Sequence, residues 1–198
     1  MRRALVVSLI LLASVTFSGA ASATLLVYMT DEELTARADA IVLAEVTAVE
    51  SYRDARLHRV FTRVTLGVEQ YLKGQGPGEI LVRVAGGTLG DLEYRVLGAP
   101  RFQPGEQVVL FLAARPEAAS IIGMTQGKLR VVTDEAGQKW VERDLTSVAL
   151  TSADGRPLPR ESRPNRMRLS DLRASIDRVL PLLPATPERA LSPAPYAQ

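Results

Sequence analysis

The side chains that could do chemistry are few and scattered. His58 is the single histidine, and the chain contains no cysteine. A zinc site would have to lean on carboxylates, against the nitrogen and sulfur ligands that zinc favours. A Ser–His–acid relay would need His58 and a nucleophile on a strained turn, and no such turn motif is present. His58 lies in a polar stretch and reads as a solvated side chain. Asp91 and Glu93 are two apart and could share one face as a carboxylate pair for acid–base work. A polar strand edge is the simpler reading of that spacing. Asp134 and Glu135 read as hairpin-turn residues. The glycine-rich runs GQGPG (74–78) and GGTLG (86–90) lack the Lys-Ser/Thr of a phosphate loop, and neither opens a helix after a buried parallel strand. They read as turns. Tyr94, Phe102 and Trp140 are too sparse for a base-stacking platform, and Trp140 reads as a packing residue at the edge of the fold. No catalytic set, cofactor or metal site is implied, which points away from an enzyme.

The elements that must carry these residues are mostly strands. Residues 60–87, VFTRVTLGVEQYLKGQGPGEILVRVAGG, read as two strands and a turn. Val60, Thr62, Val64, Leu66, Val68 and Leu72 alternate on one face, with Gln70 the poor fit. Arg63, Thr65, Glu69 and Lys73 lie on the other, so the strand is antiparallel and half solvated. Gly67 in mid-strand marks a bend or bulge, which a small barrel needs in order to close. AIVLAEVTAVES is a strand that is apolar on both faces at its start, SYRDARLH a polar loop, and VVLFLA (108–113) a central strand. A second hairpin turns at DEAG. The stretch from 86 to 106, with at most a short strand at LEYRV, is a long connection of the kind that carries function. Thr30 and Glu33 form a capping box that opens a short helix. A second helix is expected from Ser170, its presumed cap, to the stop at Pro181, with Leu172, Ile176, Val179 and Leu180 as its apolar stripe.

The ends have a different composition. Arg2 and Arg3, an apolar run and ASA at 21–23 read as an export signal cut before Thr24. The product would be periplasmic or secreted. Removing it leaves 22 basic and 22 acidic residues, so the precursor's positive charge is no argument for nucleic acid. No later run is long enough to span a membrane. Without cysteine, an exported chain must be held by its core alone. The expected organisation is residues 1–23 signal, 24–150 barrel domain, 151–168 linker, 169–180 helix and 181–198 a disordered Pro-rich tail. Residues 24–155 carry a net charge of −4 and residues 156–198 of +4. The basic end could fold back on the acidic body, bind an anionic surface, or serve as a solvated linker.

The strand order is that of an all-β, five- to six-stranded antiparallel barrel of the OB type, with a short N-terminal helix and a C-terminal helix. Ala38, Asp39, Ile41 and Val42, followed by Leu72, Lys73 and Gly74, resemble the netrin-like domain of tissue inhibitors of metalloproteinases. Gly86, Gly87, Gly98, Ala99, Pro100, Phe102, Gly105 and Glu106 resemble a loop of exported bacterial proteins with the same layout. The likeness covers residues 36–133. It implies a non-enzymatic protein-binding module, with inhibition of secreted metalloproteases as its activity. The family's zinc-chelating N-terminal cysteine has no counterpart here, so that residue is not carried over. Arg95, Arg101 and Phe102, in the long loop, are the candidate partner contacts. The alternative is a module binding an envelope glycan or another anionic polymer through the basic C-terminal segment.

Overall fold

The computed structural model describes residues 24–159, 165–184 and 190–194. The expected export signal lies outside them. In chain order the elements are β1 (Thr24–Val27), α1 (Asp31–Arg37), β2 (Ala40–Asp54), β3 (Arg59–Lys73), β4 (Glu79–Ala85), β5 (Gly87–Leu89), β6 (Leu92–Tyr94) and β7 (Gln107–Ala113). There follow β8 (Ser120–Ile121), β9 (Lys128–Thr133), β10 (Lys139–Glu142), β11 (Val148–Thr151), β12 (Arg166–Arg168) and α2 (Leu169–Val179). The protein is mostly β, largely antiparallel, with two helices. The main sheet runs β12–β10–β9–β7–β2–β3–β4, and β8 pairs with the end of β7. Ala119, just before β8, makes a parallel bridge to Val82 on the free edge of β4. Its N–H donates to the Leu81 carbonyl at 2.8 Å, and its carbonyl accepts from the Arg83 N–H at 2.9 Å.

β2 and β3 form the backbone of the molecule, paired from Ile41–Lys73 to Asp54–Arg59. The polar sequence expected to be a loop from Ser51 is strand as far as Asp54. Tyr52 and Phe61 face each other across the pair, and the Arg63 guanidinium lies 4.4 Å from the Tyr52 ring centroid. A solvated sheet face takes polar residues readily, so their polarity did not mark a loop. The turn is closed by Asp54, whose Oδ1 accepts from the Arg56 and Leu57 N–H groups, both at 2.9 Å.

Three register shifts break the β2–β3 ladder. Thr47 is the extra residue in β2. A Cβ on Gly67 would lie 3.4 Å from the Thr47 methyl, so the bulge and the mid-strand glycine coincide. Glu69 and Leu72 are the extra residues in β3. They account for the misfit at Gln70. Val64, Leu66 and Val68 pack into one core, Tyr71 then takes over that face, and Leu72 turns to the opposite one. A strict two-residue period cannot anticipate such a switch.

The sheet is buried on both sides where β2 and β7 cross it. Ala40, Val42, Ala44, Val108, Leu110 and Leu112 face one core. Ile41, Leu43, Val109 and Phe111 face the other, beneath Leu34 of α1 and Leu172 and Ile176 of α2. α1 carries the expected capping box: the Glu33 N–H donates to Thr30 Oγ1, and the Thr30 N–H donates to the Glu33 carboxylate. α2 starts one residue before Ser170, and no side chain caps it.

Asp39, Lys73 and Gly74 act as a clamp between α1 and the sheet. Lys73 Nζ donates to the Thr35 carbonyl at the end of α1 at 2.7 Å, complementing the helix dipole. Asp39 Oδ2 accepts from the Ala114 N–H at 2.8 Å. Gly74 has φ +73, and a Cβ there would come within 2.9 Å of the Asp39 carbonyl oxygen, so only glycine lets the two segments touch.

Two expectations for the C-terminal part need correction. Within the segment read as a linker, 166–168 is strand β12, paired with β10, and Pro157 bridges Thr151. The arginines that suggested solvation stack on Trp140 instead: Arg166 lies 4.6 Å and Arg168 5.7 Å from its ring centroid. Within the tail read as disordered, Leu191 is buried in the β2–β4 core and Pro193 bridges Ile80 on the edge of β4. Proline suits such a place because an edge strand can lack a donor.

Candidate functional site

The long connection after β4 is pinned at both ends. Its start is the hairpin β5–β6, laid across β2 and β3. Gly87 (φ +145) lies so close to the ladder that a Cβ would collide with Ser51 Oγ and Thr62 Oγ1. Thr62 Oγ1 donates to the Gly86 carbonyl at 2.8 Å, and the Thr88 N–H donates to Ser51 Oγ at 3.0 Å. Its end returns to the bulged part of β2, where the Gly105 N–H donates to the Val46 carbonyl at 2.8 Å.

Between these anchors a partly buried cation organises the loop. Lys128 Nζ, at the start of β9, lies 2.8 Å from both carboxylate oxygens of Glu106. It also donates to the Arg101 carbonyl, and it sits 4.3 Å from the Phe102 ring centroid. Burial pushes the Lys128 ammonium below the usual lysine range, and Glu106 opposes that shift. Phe102 is half-buried against the β2–β4 core. Of the three candidate contacts, then, Phe102 is part of the packing. Arg95 and Arg101 are exposed, and they share one carboxylate: Glu93 on β6 lies 3.7 Å from Arg95 Nη2 and 2.5 Å from Arg101 Nη2. Glu93 is thereby engaged by cations, and Asp91 sits in the turn between β5 and β6.

A second wall faces the loop. Arg130 of β9, Glu142 of β10 and Arg166 of β12 stand in one row across three strands. Arg130 Nη2 lies 3.0 Å and Arg166 Nε 3.3 Å from the two Glu142 oxygens. The next residue, Arg143, is buried against Asp31 of α1 at 2.6 Å, and its Nε has no hydrogen-bond partner among the described residues. Asp144 Oδ1 accepts from Thr146 Oγ1 at 2.6 Å, the main cause of a carboxyl held below the usual aspartate range. Thr125 ties the two sides together: its Oγ1 donates to the Asp144 carbonyl and its N–H to the Gly98 carbonyl.

Loop and wall enclose a cleft of about 1260 Å³. Glu106, Glu142 and Asp144 line it, and Glu93 stands behind the lining residues Arg95 and Arg101. Glu93 and Glu142 each bridge two guanidiniums. This is a surface for holding anionic groups, with spare N–H donors on four arginines. His58 does not line it; it lies in the β2–β3 turn with φ 52. Among the described residues, no group of three histidine, cysteine or carboxylate side chains could hold a metal ion, and no helix is long and apolar enough to cross a membrane. Sequence reasoning found Arg95 and Arg101 but missed Lys128, Arg130, Glu142 and Arg166. Arg130 and Glu142 stand twelve residues apart around a recognisable hairpin, so their cross-strand pairing was within reach. Arg166 was not, because its strand was read as a linker.

No protein-family model and no curated protein sequence matches this chain.

Proposed function

We propose that this is an exported, non-enzymatic binding module on an OB-like barrel, whose partner is a protein of the secreted metalloprotease class. The barrel reading is supported by the pairing β7–β2–β3–β4, with β4 linked through Ala119 to β8 and β8 back to β7. On this reading the path closes as a five-stranded ring through the single parallel bridge from Val82 of β4 to Ala119, just before β8.

The observation that carries the partner reading is the seat of Thr24. Thr24 pairs with Val148 in the parallel ladder β1–β11, and the ladder continues to Val27–Thr151. Gln126, fully buried, clamps the far end of β1: its Nε2 donates to the Val27 carbonyl, and its Oε1 accepts from the Met29 N–H, both at 3.0 Å. A chain cleaved before Thr24 would therefore present its α-amine and first carbonyl on an anchored strand. On this reading the β1–β11 pairing takes the tethering role that a disulfide has in the animal inhibitors. Leu25 and Val27, 64% and 55% exposed, add an apolar surface beside that terminus.

The test is an inhibition assay. The chain starting at Thr24 is titrated against secreted zinc metalloproteases, beside a version with extra residues before Thr24. Saturable inhibition that the extension abolishes is expected. Absence of inhibition at high micromolar concentration removes the metalloprotease reading.

A further inference from the structure

We propose that the cleft between the 95–106 loop and the β9–β10–β12 wall is a docking site for an acidic, partly apolar polypeptide segment. This rests on the protein-binding reading above, but not on its metalloprotease partner or on the Thr24 terminus.

The two rims of the cleft are unbalanced in charge. Four exposed guanidiniums, Arg95, Arg101, Arg130 and Arg166, share two carboxylates. Each carboxylate is spread over two cations, so each triad keeps one positive charge. Exposed pairs of this kind contribute little to folding, so an incoming carboxylate can join or replace Glu93 or Glu142 at small cost. The planar guanidinium fork suits a carboxylate with two parallel hydrogen bonds. One wall is already ordered: Arg166 lies on the Trp140 ring, and Trp140 Nε1 is held by Asp134 Oδ2 at 2.8 Å. Ordering the arginine before binding lowers the entropy lost on binding. The body around this basic cleft is acidic, with a net charge of −4 over residues 24–155. The positive patch is therefore local and directs an acidic partner to one place.

The rest of the lining selects among anions. Glu142 and Asp144 would repel a polymer charged at every unit. Val96 and Leu97 line the same cleft with 42% and 36% of their surface exposed. Carboxylates interspersed with apolar side chains match this mixture better than a uniform polyanion. The volume, about 1260 Å³, exceeds the roughly 300–1,000 Å³ usual for a small metabolite and fits a stretch of peptide.

The probe is a fluorescent peptide of about twelve residues alternating glutamate with leucine and valine, titrated by anisotropy into the full chain. The control peptide has glutamine for glutamate. Tighter binding of the glutamate peptide is expected, with roughly tenfold loss in each of Arg101→Glu and Arg130→Glu. Both positions are exposed, and circular dichroism checks that the variants fold. The single tryptophan, under Arg166, should change its fluorescence on binding. Equal binding of the two peptides, or indifference to both variants, overturns the proposal. Tighter binding of alginate through the same arginines also overturns it and assigns the cleft to an anionic polymer. Failed protease inhibition with intact peptide binding removes only the metalloprotease reading and leaves this proposal standing. Partner capture that survives both variants moves the contact off the cleft.

Discussion

Lys128–Glu106 and Arg130–Glu142–Arg166 are built from the same parts and serve opposite ends. Each sets a carboxylate against cations, and each lays a cation on an aromatic ring, Phe102 in one and Trp140 in the other. The difference is solvent. The Lys128 and Glu106 side chains are 13% and 14% exposed, whereas Arg130 and Arg166 are 59% and 51% exposed. A lysine taken out of water needs its partners, so the first set holds the loop. Hydrated arginines lose little by exchanging partners, so the second set is free to meet a ligand.

The sharpest way to break this contrast is Lys128→Met. It leaves the partly buried Glu106 without its cation and should cost about 3 kcal/mol, read from urea denaturation, with the 95–106 loop becoming the first site of proteolysis. Adding Glu106→Gln should recover part of the loss, since the two residues act as one unit. Gly87→Ala attacks the other anchor of the loop. Forcing a Cβ against Ser51 and Thr62 should cost about 2 kcal/mol, measured the same way. In the open wall, Glu142→Gln should shift stability by less than about 1 kcal/mol while strengthening binding of the acidic peptide, because it frees two guanidiniums. A cost as large as that of Lys128→Met would abolish the distinction between the two sets.

The smallest expected effect is a pH response at Trp140. Hydrogen bonds from Trp140 Nε1 and the Gln138 N–H hold the Asp134 carboxyl below the usual aspartate range. A carboxyl lowered in the folded state contributes stability that is fully present above its unfolded pKa. That contribution is lost as the pH falls through the lower, folded value. Tryptophan fluorescence should therefore stay constant down to the ordinary aspartate range and change only below it. Asp134→Asn should remove that step. A transition above the ordinary range would show that the contact is not made in solution.

Much of the fold could be read in advance where pattern and physics coincide. The capping box at Thr30, the turn at DEAG, the two-faced burial of VVLFLA and the bulge beside Gly67 all follow from local rules. The misses have physical causes. β1 and β11 are four residues each and pair in parallel across 124 positions, Thr24 with Val148, which no local period records. The bulges at Glu69 and Leu72 send Leu72 to the opposite core from the one its parity indicated. β12 and the packed residues 190–194 lie in Pro- and Arg-rich sequence, whose composition argues for solvent. Trp140 and the β4 edge gave them partners. Half of the candidate cleft was legible, through Arg95 and Arg101. The opposite wall was not, since a row of side chains across three strands exists only once the strands are in register.

By itself the sequence determined that the chain folds around strands, where the first helix and the second hairpin's turn lie, and which long loop would be set apart. These depend on backbone sterics and near-neighbour hydrogen bonds, which neighbouring residues specify. Tertiary structure decided that Lys128 is a buried strut and Arg130 an open contact, although the two are two residues apart on one strand. Their burial is set by what packs over each from distant parts of the chain, and burial is what makes one charge structural and leaves the other free to bind.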